Sequence, residues 1–382
     1  MKIVLAPNAF KDSLSAIQAC DAMAKGIRKV LADVEIIKIP IADGGDGLVD
    51  IALHAMDGKM VTCDVHDPLG RTINAGFCHV PEKKLLIIEM ASCSGLRLLS
   101  SAERNPLKTS TYGTGELIKT ALNYNAKTIL VGLGGSATND GGTGMAAALG
   151  VVFFDKDGMK IAPTGENLSD IHRIDMSGLD ERIKQVSIEA ICDVNNTLLG
   201  EKGATAIYGP QKGASPEQVK RLEAGLKNLA DRIEMDLKKD VRTLVSGGAA
   251  GGLGAGLFSF LDARLRLGIE VILDLLNLDK ALDGADLLFT GEGQLDEQTV
   301  YGKAPAGAAL RAKARGIPCI AIAGSMDGDL TAVHVAGISA VFSLCPGPVT
   351  LEQAMKNAGS YIATATEHSF RAFLAGVGSK GC

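Results

Sequence analysis

The sequence predicts an α/β protein built from two domains, and three observations support that prediction. At 382 residues, the chain exceeds the roughly 100–200 residues that one domain usually holds. Short apolar runs alternate with helical periodicity at both ends of the chain, which is typical of a doubly wound parallel sheet. Between them, closely spaced strands are joined by turns, which indicates a second sheet with antiparallel neighbours.

The first elements are a strand, a helix and a second strand. Residues 2–6 form an apolar, β-branched run that ends at Pro7. Ser15 and Gln18 have the spacing of a capping box, and apolar residues then recur at helical intervals. Residues 34–41 are again rich in apolar side chains. Because a helix connects the two strands, we expect them to be parallel.

The middle of the chain follows a different pattern. Residues 59–66, 72–79 and 84–89 alternate with turns that contain Pro and Gly, as in an antiparallel meander. The sequence after this meander predicts two strands, over residues 128–131 and 186–192, and two helices, over residues 115–124 and 216–239.

The C-terminal part returns to alternation of strands and helices. It predicts three strands, over residues 286–289, 319–323 and 340–344, and a helix over residues 302–314. A final helix begins at Thr350, which forms a capping-box pair with Gln353. We therefore expect residues 1–50 and 285–382 to form one discontinuous parallel α/β domain. Residues 51–284 would be an inserted mixed α/β domain.

Composition narrows the function classes. The formal net charge is −5, and the chain has no Trp, 5 Tyr and 10 Phe. Nucleic-acid binding usually needs a basic surface and aromatic stacking residues, so we expect no nucleic-acid partner. The sequence shows no signal peptide and no apolar run of membrane-spanning length, and its eight cysteines form no C-x-x-C. These features predict a cytoplasmic protein without a membrane partner.

Glycine is in excess, with 46 residues, and part of the excess lies in the segment GLGGSATNDGG, residues 132–142. Gly134 and Gly135 would let backbone N–H groups face a phosphate, and Ser136 and Thr138 would add hydroxyl donors. The helix that follows Gly142 could present its positive end. The alternative is a tight connection between a strand and a helix that binds nothing.

Carboxylates follow two of the predicted strands. Asp193 ends the strand over 186–192, where it could bind Mg²⁺ or transfer a proton. Its alternative is a helix cap or an Asx turn. Glu292, Asp296 and Glu297 follow the strand over 286–289, and we expect one of them to be catalytic or metal-bound.

Charged residues also follow the N-terminal strands. Asp43 and Asp46 flank Gly44 and Gly45, and their alternative is a solvated turn. Lys11 lies at the first strand–helix junction, where a cation could meet a phosphate or a carboxylate substrate.

Two further cations, Arg104 and Lys212, are open to the same interpretation as Lys11. For all three the alternative is an ordinary surface side chain. The chain lacks the Walker A motif, the kinase H-R-D and D-F-G motifs and the G-x-S-x-G elbow. The dinucleotide fingerprint after the first strand is also absent, which disfavours a nicotinamide dehydrogenase.

The chain resembles the type-1 glycerate kinases, a bacterial family that phosphorylates D-glycerate with ATP. Nine segments carry the resemblance in family order: KIVLAPNAFKDSLSA (2–16), ADGGDG (42–47), RNPLKTSTYGTGEL (104–117), GGSATNDGG (134–142), CDVNNTLLG (192–200), GPQKGA (209–214), AAGGLGAG (249–256), TGEGQLDEQ (290–298) and GK (302–303). The resemblance implies a flavodoxin-like domain built from both chain ends and an inserted restriction-endonuclease-like domain.

The resemblance also implies ATP with Mg²⁺ as phosphoryl donor, glycerate as acceptor and 2-phosphoglycerate as the usual product. On that basis we assign hypothetical roles by position. Catalysis is assigned to Asp193, Asp296 and Lys11, metal binding to Asp193 and Asp296, nucleotide binding to Gly134, Gly135, Ser136, Asn139, Asp140 and Gly141, and substrate binding to Asp43, Gly44 and Gly45. Either a monomer or a homodimer is compatible with the sequence.

Four positions depart from the family pattern. Asn8 and Ala9 stand where Asp and Ser are usual, Thr197 replaces a Pro, and Gln294 replaces an Arg. If the lost groups bind glycerate or phosphate, these changes would alter substrate preference or rate. Two alternatives to glycerate phosphorylation stay open. One is a kinase for another small hydroxy acid, and the other is a protein that binds an organic acid without turnover.

Overall fold

A computed structural model describes residues 1–10, 13–41, 48–296 and 303–378. The chain divides into two compact units, one formed by Met1–Asp43 with Ile269–Cys382 and the other by Gly44–Gly268. Each unit contains its own main sheet. The assignment of two named domain types to residues 1–50 with 285–382 and to 51–284 stays a prediction.

The described residues contain fourteen strands. In chain order they are β1 (Lys2–Leu5), β2 (Glu35–Lys38), β3 (Lys59–His66), β4 (Thr72–Val80), β5 (Leu85–Glu89), β6 (Thr128–Gly132), β7 (Val152–Phe154), β8 (Lys160–Ile161), β9 (Arg173–Asp175), β10 (Ser187–Cys192), β11 (Arg264–Leu267), β12 (Leu287–Leu295), β13 (Cys319–Met326) and β14 (Ala340–Ser343).

Fourteen α-helices occur over the same described ranges. They are α1 (Ala16–Arg28), α2 (Leu48–Ala55), α3 (Ala91–Ser94), α4 (Tyr112–Ala121), α5 (Thr143–Ala148), α6 (Ala204–Tyr208), α7 (Pro216–Leu237), α8 (Ala249–Leu261), α9 (Gly268–Leu275), α10 (Leu278–Leu282), α11 (Ala304–Lys313), α12 (Thr331–Val335), α13 (Leu351–Lys356) and α14 (Ala358–Gly378). None of these helices is both long enough and apolar enough to span a membrane.

The first unit is built on a parallel sheet with the order β14-β13-β12-β1-β2. Counted within this sheet alone, that is the flavodoxin order 2-1-3-4-5. Ile3, Leu5 and Phe289 lie in one buried cluster with residues of α1 and α14. Val4 alternates with Ile3 and Leu5, so it points to the other face, and α11 packs against β12 and β13. The predicted doubly wound parallel sheet, made from both chain ends, is confirmed.

The second unit is built on a mixed sheet with the order β11-β10-β6-β5-β4-β3. β3, β4 and β5 form the predicted antiparallel meander, and β5, β6, β10 and β11 run parallel. Its buried cluster includes Phe77, Val131, Ile188 and Leu229. A small antiparallel sheet with the order β8-β7-β9 is formed by the part of the chain between β6 and β10. The mixed-sheet prediction is therefore confirmed.

The helix starts agree with their sequence signals. Ser15 accepts a hydrogen bond from the backbone of Gln18, whose side chain bonds back to the Ser15 backbone, so α1 begins with the predicted capping box. The Thr350–Gln353 pair forms the same box. It begins the short helix α13, and α14 follows as a separate helix, whereas the sequence predicted one continuous final helix.

One predicted strand is longer than expected, and one glycine-rich segment has an irregular backbone. The strand expected over 286–289 continues to Leu295 as β12, because β12 pairs with β13 from Leu288 to Leu295. Gly291 permits this, since a Cβ there would collide with the carbonyl oxygen of Ile322. The glycine-dense segment near residue 250 begins α8, which is broken by positive φ angles at Ala250, Gly251 and Gly252.

Close packing of α1 on α14 gives a stability prediction at Gly26. A Cβ on Gly26 would collide with the carbonyl oxygen of Ala363, so Gly26→Ala forces the helices apart. We expect a loss of about 2 kcal/mol, as for other overpacked sites, measured by urea denaturation. Gly376→Ala in α14 is the control, because no atom lies within contact of a Cβ there and Ala favours helix. Equal stability of the two variants would contradict the packing argument.

Candidate functional site

The glycine segment 132–142 and Asp193 lie at one edge of the mixed sheet. They follow β6 and β10, which are parallel neighbours with Gly132 opposite Ile191. The backbone N–H of Leu133 extends this pairing by donating to the carbonyl of Ile191 at 2.9 Å. Because the carboxyl ends of parallel strands share one edge, the structure brings these two predicted site elements side by side.

The outward part of this loop is short. Gly134 is half-buried, Gly135 is exposed, and Gly135 has a φ of +64°. Within the described part of the chain, the backbone N–H groups of Gly134, Gly135 and Ser136 make no hydrogen bond. The carbonyl of Gly135 accepts from Leu96 N at 2.8 Å, which anchors the turn. These three residues therefore offer a set of open backbone donors, the arrangement that binds anions.

The remainder of the loop is buried. Asn139 and Asp140 are 0% exposed. The Asp140 carboxylate accepts from Thr111 N at 2.7 Å, Thr111 Oγ1 at 2.8 Å, Gly142 N at 3.1 Å and Gly144 N at 3.2 Å. Burial raises the pKa of the Asp140 carboxyl, and these donors oppose that rise.

This arrangement changes the interpretation of two predicted residues. Asp140 takes donors at the start of α5, so the expectation that this helix presents an open positive end to a phosphate is wrong. Asn139 donates through Nδ2 to Thr205 Oγ1 at 3.0 Å, inside the unit. Both side chains stabilise the loop from within, and their contact with a nucleotide stays a prediction.

Lys212 is a buried cation beside the open donors. Lys212 ends a single 3₁₀ turn, and the residue is 2% exposed. Nζ donates to Ser136 Oγ and to the carbonyl oxygen of Thr138, both at 2.7 Å. Burial lowers the pKa of Lys212 to about 7, while the negative charge of Asp140 raises it. The alternative of a surface lysine is therefore wrong, and no signal in the sequence distinguishes this lysine from an exposed one.

Arg104 lies close to Lys212 in the fold. Its carbonyl oxygen packs against the Cα of Gly213, which has a φ of +94° and no room for a Cβ. The Arg104 Nε is buried and has no hydrogen-bond partner in the described residues. The motif that contains Arg104 and the motif that contains Lys212 therefore adjoin.

Asp193 is exposed at the end of β10. The loop after it is held by its own side chains. Thr197 Oγ1 donates to the carbonyl of Leu199 at 3.1 Å, and Asn196 Oδ1 accepts from the Tyr208 hydroxyl at 2.7 Å. Thr197, which replaces the usual Pro, thus supplies a hydrogen bond that Pro could not.

The first unit has its own candidate edge, where β1 and β12 end. In the flavodoxin order the switch point lies between these two strands, and ligands bind beyond it. Asn8 is buried there. Its backbone N–H donates to the carbonyl of Gly291 at 2.8 Å, and its side-chain Oδ1 accepts from the backbone N–H of Ala9 at 2.7 Å. Asp296 Oδ1 accepts from Lys303 Nζ at 3.1 Å.

Several predicted residues cannot be placed. Lys11, Asp43, Gly44, Gly45 and Glu297 lie outside the described residues. Sequence reasoning placed Lys303 in a family segment but assigned it no role, and the structure pairs it with Asp296, seven residues before it in the chain.

Few of the described side chains are arranged as metal ligands. Among the described residues, no group of three or more His, Cys, Asp or Glu side chains is placed to hold a metal ion. Mg²⁺ in phosphoryl-transfer sites needs fewer protein ligands, because one or two carboxylates bind it together with the phosphates of the substrate. Asp193 and Asp296 are carboxylates at strand ends, so each fits a magnesium ligand of that kind.

Open backbone donors after β6 and the exposed Asp193 after the neighbouring β10 lie at one edge of the parallel part of the mixed sheet, an arrangement typical of α/β proteins that bind phosphorylated small molecules. Comparison with known sequences is more specific. A profile of the glycerate kinase family matches residues 3–374, and the chain belongs to that family.

Named relatives cover almost the whole chain. A glycerate kinase from Bacillus cereus is 48% identical over 356 residues, 93% of each chain. A glycerate 2-kinase from Escherichia coli K12 is 42% identical over 381 residues, 100% of each chain. The crystal structure of a candidate glycerate kinase 2 from Salmonella typhimurium LT2 is 45% identical, covers 98% of this chain and 99% of its own, and superposes with a TM-score of 0.88.

The burial of Lys212 predicts a pH dependence of stability. Its pKa is about 7 in the folded chain against an ordinary 10.5. Between these values the unfolded chain binds a proton that the folded chain does not, so the free energy of unfolding rises with pH, by at most about 1.4 kcal/mol per unit. Urea denaturation at pH 7, 8 and 9 should show this rise in the wild type and a smaller one in Lys212→Met. The same slope in both proteins would contradict it.

Proposed function

We propose that the protein transfers the γ-phosphoryl group of ATP to a hydroxyl of D-glycerate and forms 2-phosphoglycerate. The observation that carries the proposal is the match of residues 3–374 to the glycerate kinase family, with named relatives over the full length. The open donors at Gly134, Gly135 and Ser136 support it, because a kinase without a Walker A loop needs other N–H groups for the phosphates.

Phosphoryl transfer depends on positioning and charge neutralisation more than on covalent chemistry. In the proposed reaction the backbone of Gly134, Gly135 and Ser136 binds phosphate oxygens of ATP. The buried Asn139 and Asp140 keep that backbone fixed, so the donors need not reorganise when ATP binds.

Carboxylates at the strand ends complete the proposed machinery. Asp193 is exposed and would accept the proton of the attacking glycerate hydroxyl, a role that contributes roughly 10²–10⁴-fold. Asp193 and Asp296 are each proposed as a magnesium ligand, and Mg²⁺ when bound neutralises charge on phosphate oxygens. Lys303 holds Asp296 in place from 3.1 Å.

The glycerate site is proposed from the sequence and the topology. Lys11 and Asp43 follow β1 and β2 in the chain, and parallel strands direct such segments to one edge of their sheet. Lys11 would neutralise the glycerate carboxylate or a phosphate, and Asp43 with Gly44 and Gly45 would line the substrate. Because ATP is the co-substrate, the proposal includes a cytoplasmic location.

Direct assay of the reaction tests the proposed function. With ATP, Mg²⁺ and D-glycerate, we expect ADP formation and a phosphomonoester whose ³¹P–¹H coupling places phosphate on the 2-hydroxyl. A panel of other small hydroxy acids should support slower turnover. A faster reaction with another acid favours the alternative kinase, whose departures at Asn8 and Ala9 would then alter specificity. Lack of ATP consumption with every acid would indicate a binding protein instead.

Replacement of Asp193 tests the proposed base. Asp193→Asn keeps the size of the side chain and removes its basicity, so kcat should fall by about 10²-fold or more. Circular dichroism should be unchanged, because Asp193 lies at the surface. Asp157→Asn, at another exposed aspartate in a turn of the same unit, is the matched control and should keep kcat within twofold. Activity of Asp193→Asn within a few-fold of wild type would rule out this role.

A further inference from the structure

Lys212 has no part in the reaction as described so far, yet it is placed directly behind the open donors. It is 2% exposed, and both of its hydrogen bonds go to the glycine loop. A lysine is costly to bury, because its charge loses hydration that two neutral acceptors replace only partly. Such a cost is unnecessary for a loop that Asp140 and Asn139 already stabilise.

The hydrogen-bond direction at Ser136 is the key detail. In its protonated form Lys212 can only donate, so the Ser136 hydroxyl oxygen accepts, and the hydroxyl hydrogen is left for another acceptor. Ser136 is 8% exposed and directly follows the exposed Gly135. Its hydroxyl therefore belongs to the same short outward segment as the open N–H groups.

We propose that Lys212 is a positioning residue for the phosphate chain of ATP, acting through Ser136. By holding Ser136 Oγ and the Thr138 carbonyl, it orients the Ser136 O–H and the N–H groups of Gly134 and Gly135 toward one phosphate group. The inference rests on the proposed function and specifies the phosphate subsite within it.

Electrostatics strengthen this arrangement. A cation bonded to the hydroxyl oxygen makes the O–H a stronger donor, as in other charge-assisted hydrogen bonds. The charged group that acts on Lys212 is Asp140, which favours its protonated form; Arg104 approaches through its main chain, which packs on the neighbouring Gly213. An arriving phosphate adds negative charge and favours the protonated form further. Since the pKa of Lys212 is about 7 without ligand, ATP binding should take up a proton above that pH.

A purely structural lysine would behave differently. If Lys212 only clamps the loop, its loss lowers stability and kcat and affects both Michaelis constants alike. If it positions phosphate, its loss raises KM for ATP selectively and removes the pH dependence of that constant. These two patterns can be separated by steady-state kinetics.

The first experiment measures kinetics of the wild type, Lys212→Met and Ser136→Ala. We expect KM for ATP to rise about tenfold or more in each variant, from the loss of a charge-assisted contact, with KM for glycerate within twofold. The double variant should be little worse than either single variant, because both act on one hydroxyl. Ser136→Ala leaves the lysine and the backbone in place, so it tests the proposal even where Lys212→Met folds poorly.

Lys239→Met provides the matched control. Lys239 also donates to two backbone carbonyls, those of Phe258 at 3.1 Å and Ser259 at 2.8 Å, at the end of α8. Lys239 also forms an ion pair with Asp262 and is only partly buried. Its loss therefore removes a lysine clamp of at least as many contacts in the same unit and should leave KM for ATP within twofold. An equal rise in KM for ATP in this control would overturn the proposal, because any lost clamp would then suffice.

The second experiment follows pH. In the wild type, KM for ATP should rise as pH increases from 7 to 9, and the rise should be smaller in Lys212→Met. The titration of ATP itself is common to both proteins and cancels in the comparison. A folded Lys212→Met variant with wild-type KM for ATP at every pH would overturn the proposal.

Binding of inorganic triphosphate, measured by calorimetry, separates this inference from the proposed function. Triphosphate binding that weakens tenfold in Lys212→Met and Ser136→Ala supports the subsite, even if no glycerate is phosphorylated. Glycerate phosphorylation with unchanged triphosphate binding and unchanged KM for ATP in both variants would refute the subsite and leave the function intact.

Discussion

The buried Asp140 carboxylate joins two segments, the start of α4 and the start of α5. It accepts two hydrogen bonds from Thr111 at the start of α4 and two from Gly142 and Gly144 at the start of α5. Burial makes this charge expensive, and only the converging donors offset that expense. The outward turn at Gly134 and Gly135 therefore depends on a fixed point behind it.

Glycine has two separate roles around that fixed point. Gly135 serves exposure, because its left-handed backbone leaves donors open toward solvent. Gly251 and Gly256 allow two backbone segments to pack closely. A Cβ on Gly251 would collide with the carbonyl oxygen of Thr138, and a Cβ on Gly256 with that of Gly141. Gly115 in α4 likewise lies against the carbonyl of Met145. Much of the glycine excess thus allows backbone segments to touch, and only a small part faces a ligand.

The fold was largely predictable because its signals are local. The meander β3–β5, the strands β6 and β10 and the capping boxes at Ser15 and Thr350 all follow from patterns within a few residues. The errors occurred where distant pairing decided the outcome. β12 extends beyond its expected end because β13 lies beside it, and Lys212 is buried because it bonds to the distant Ser136 and Thr138.

By itself, the sequence determined the alternation of strands and helices, the mixed character of the middle and, through nine ordered motifs, the resemblance to glycerate kinases. Only the tertiary structure decided which polar residues of those motifs face outward. Asn139 and Asp140 are buried, Asp193 is exposed, and Lys212 lies behind the loop with its charge nearly excluded from water. The physical reason is that burial and pKa depend on long-range packing, which adjacent residues do not encode.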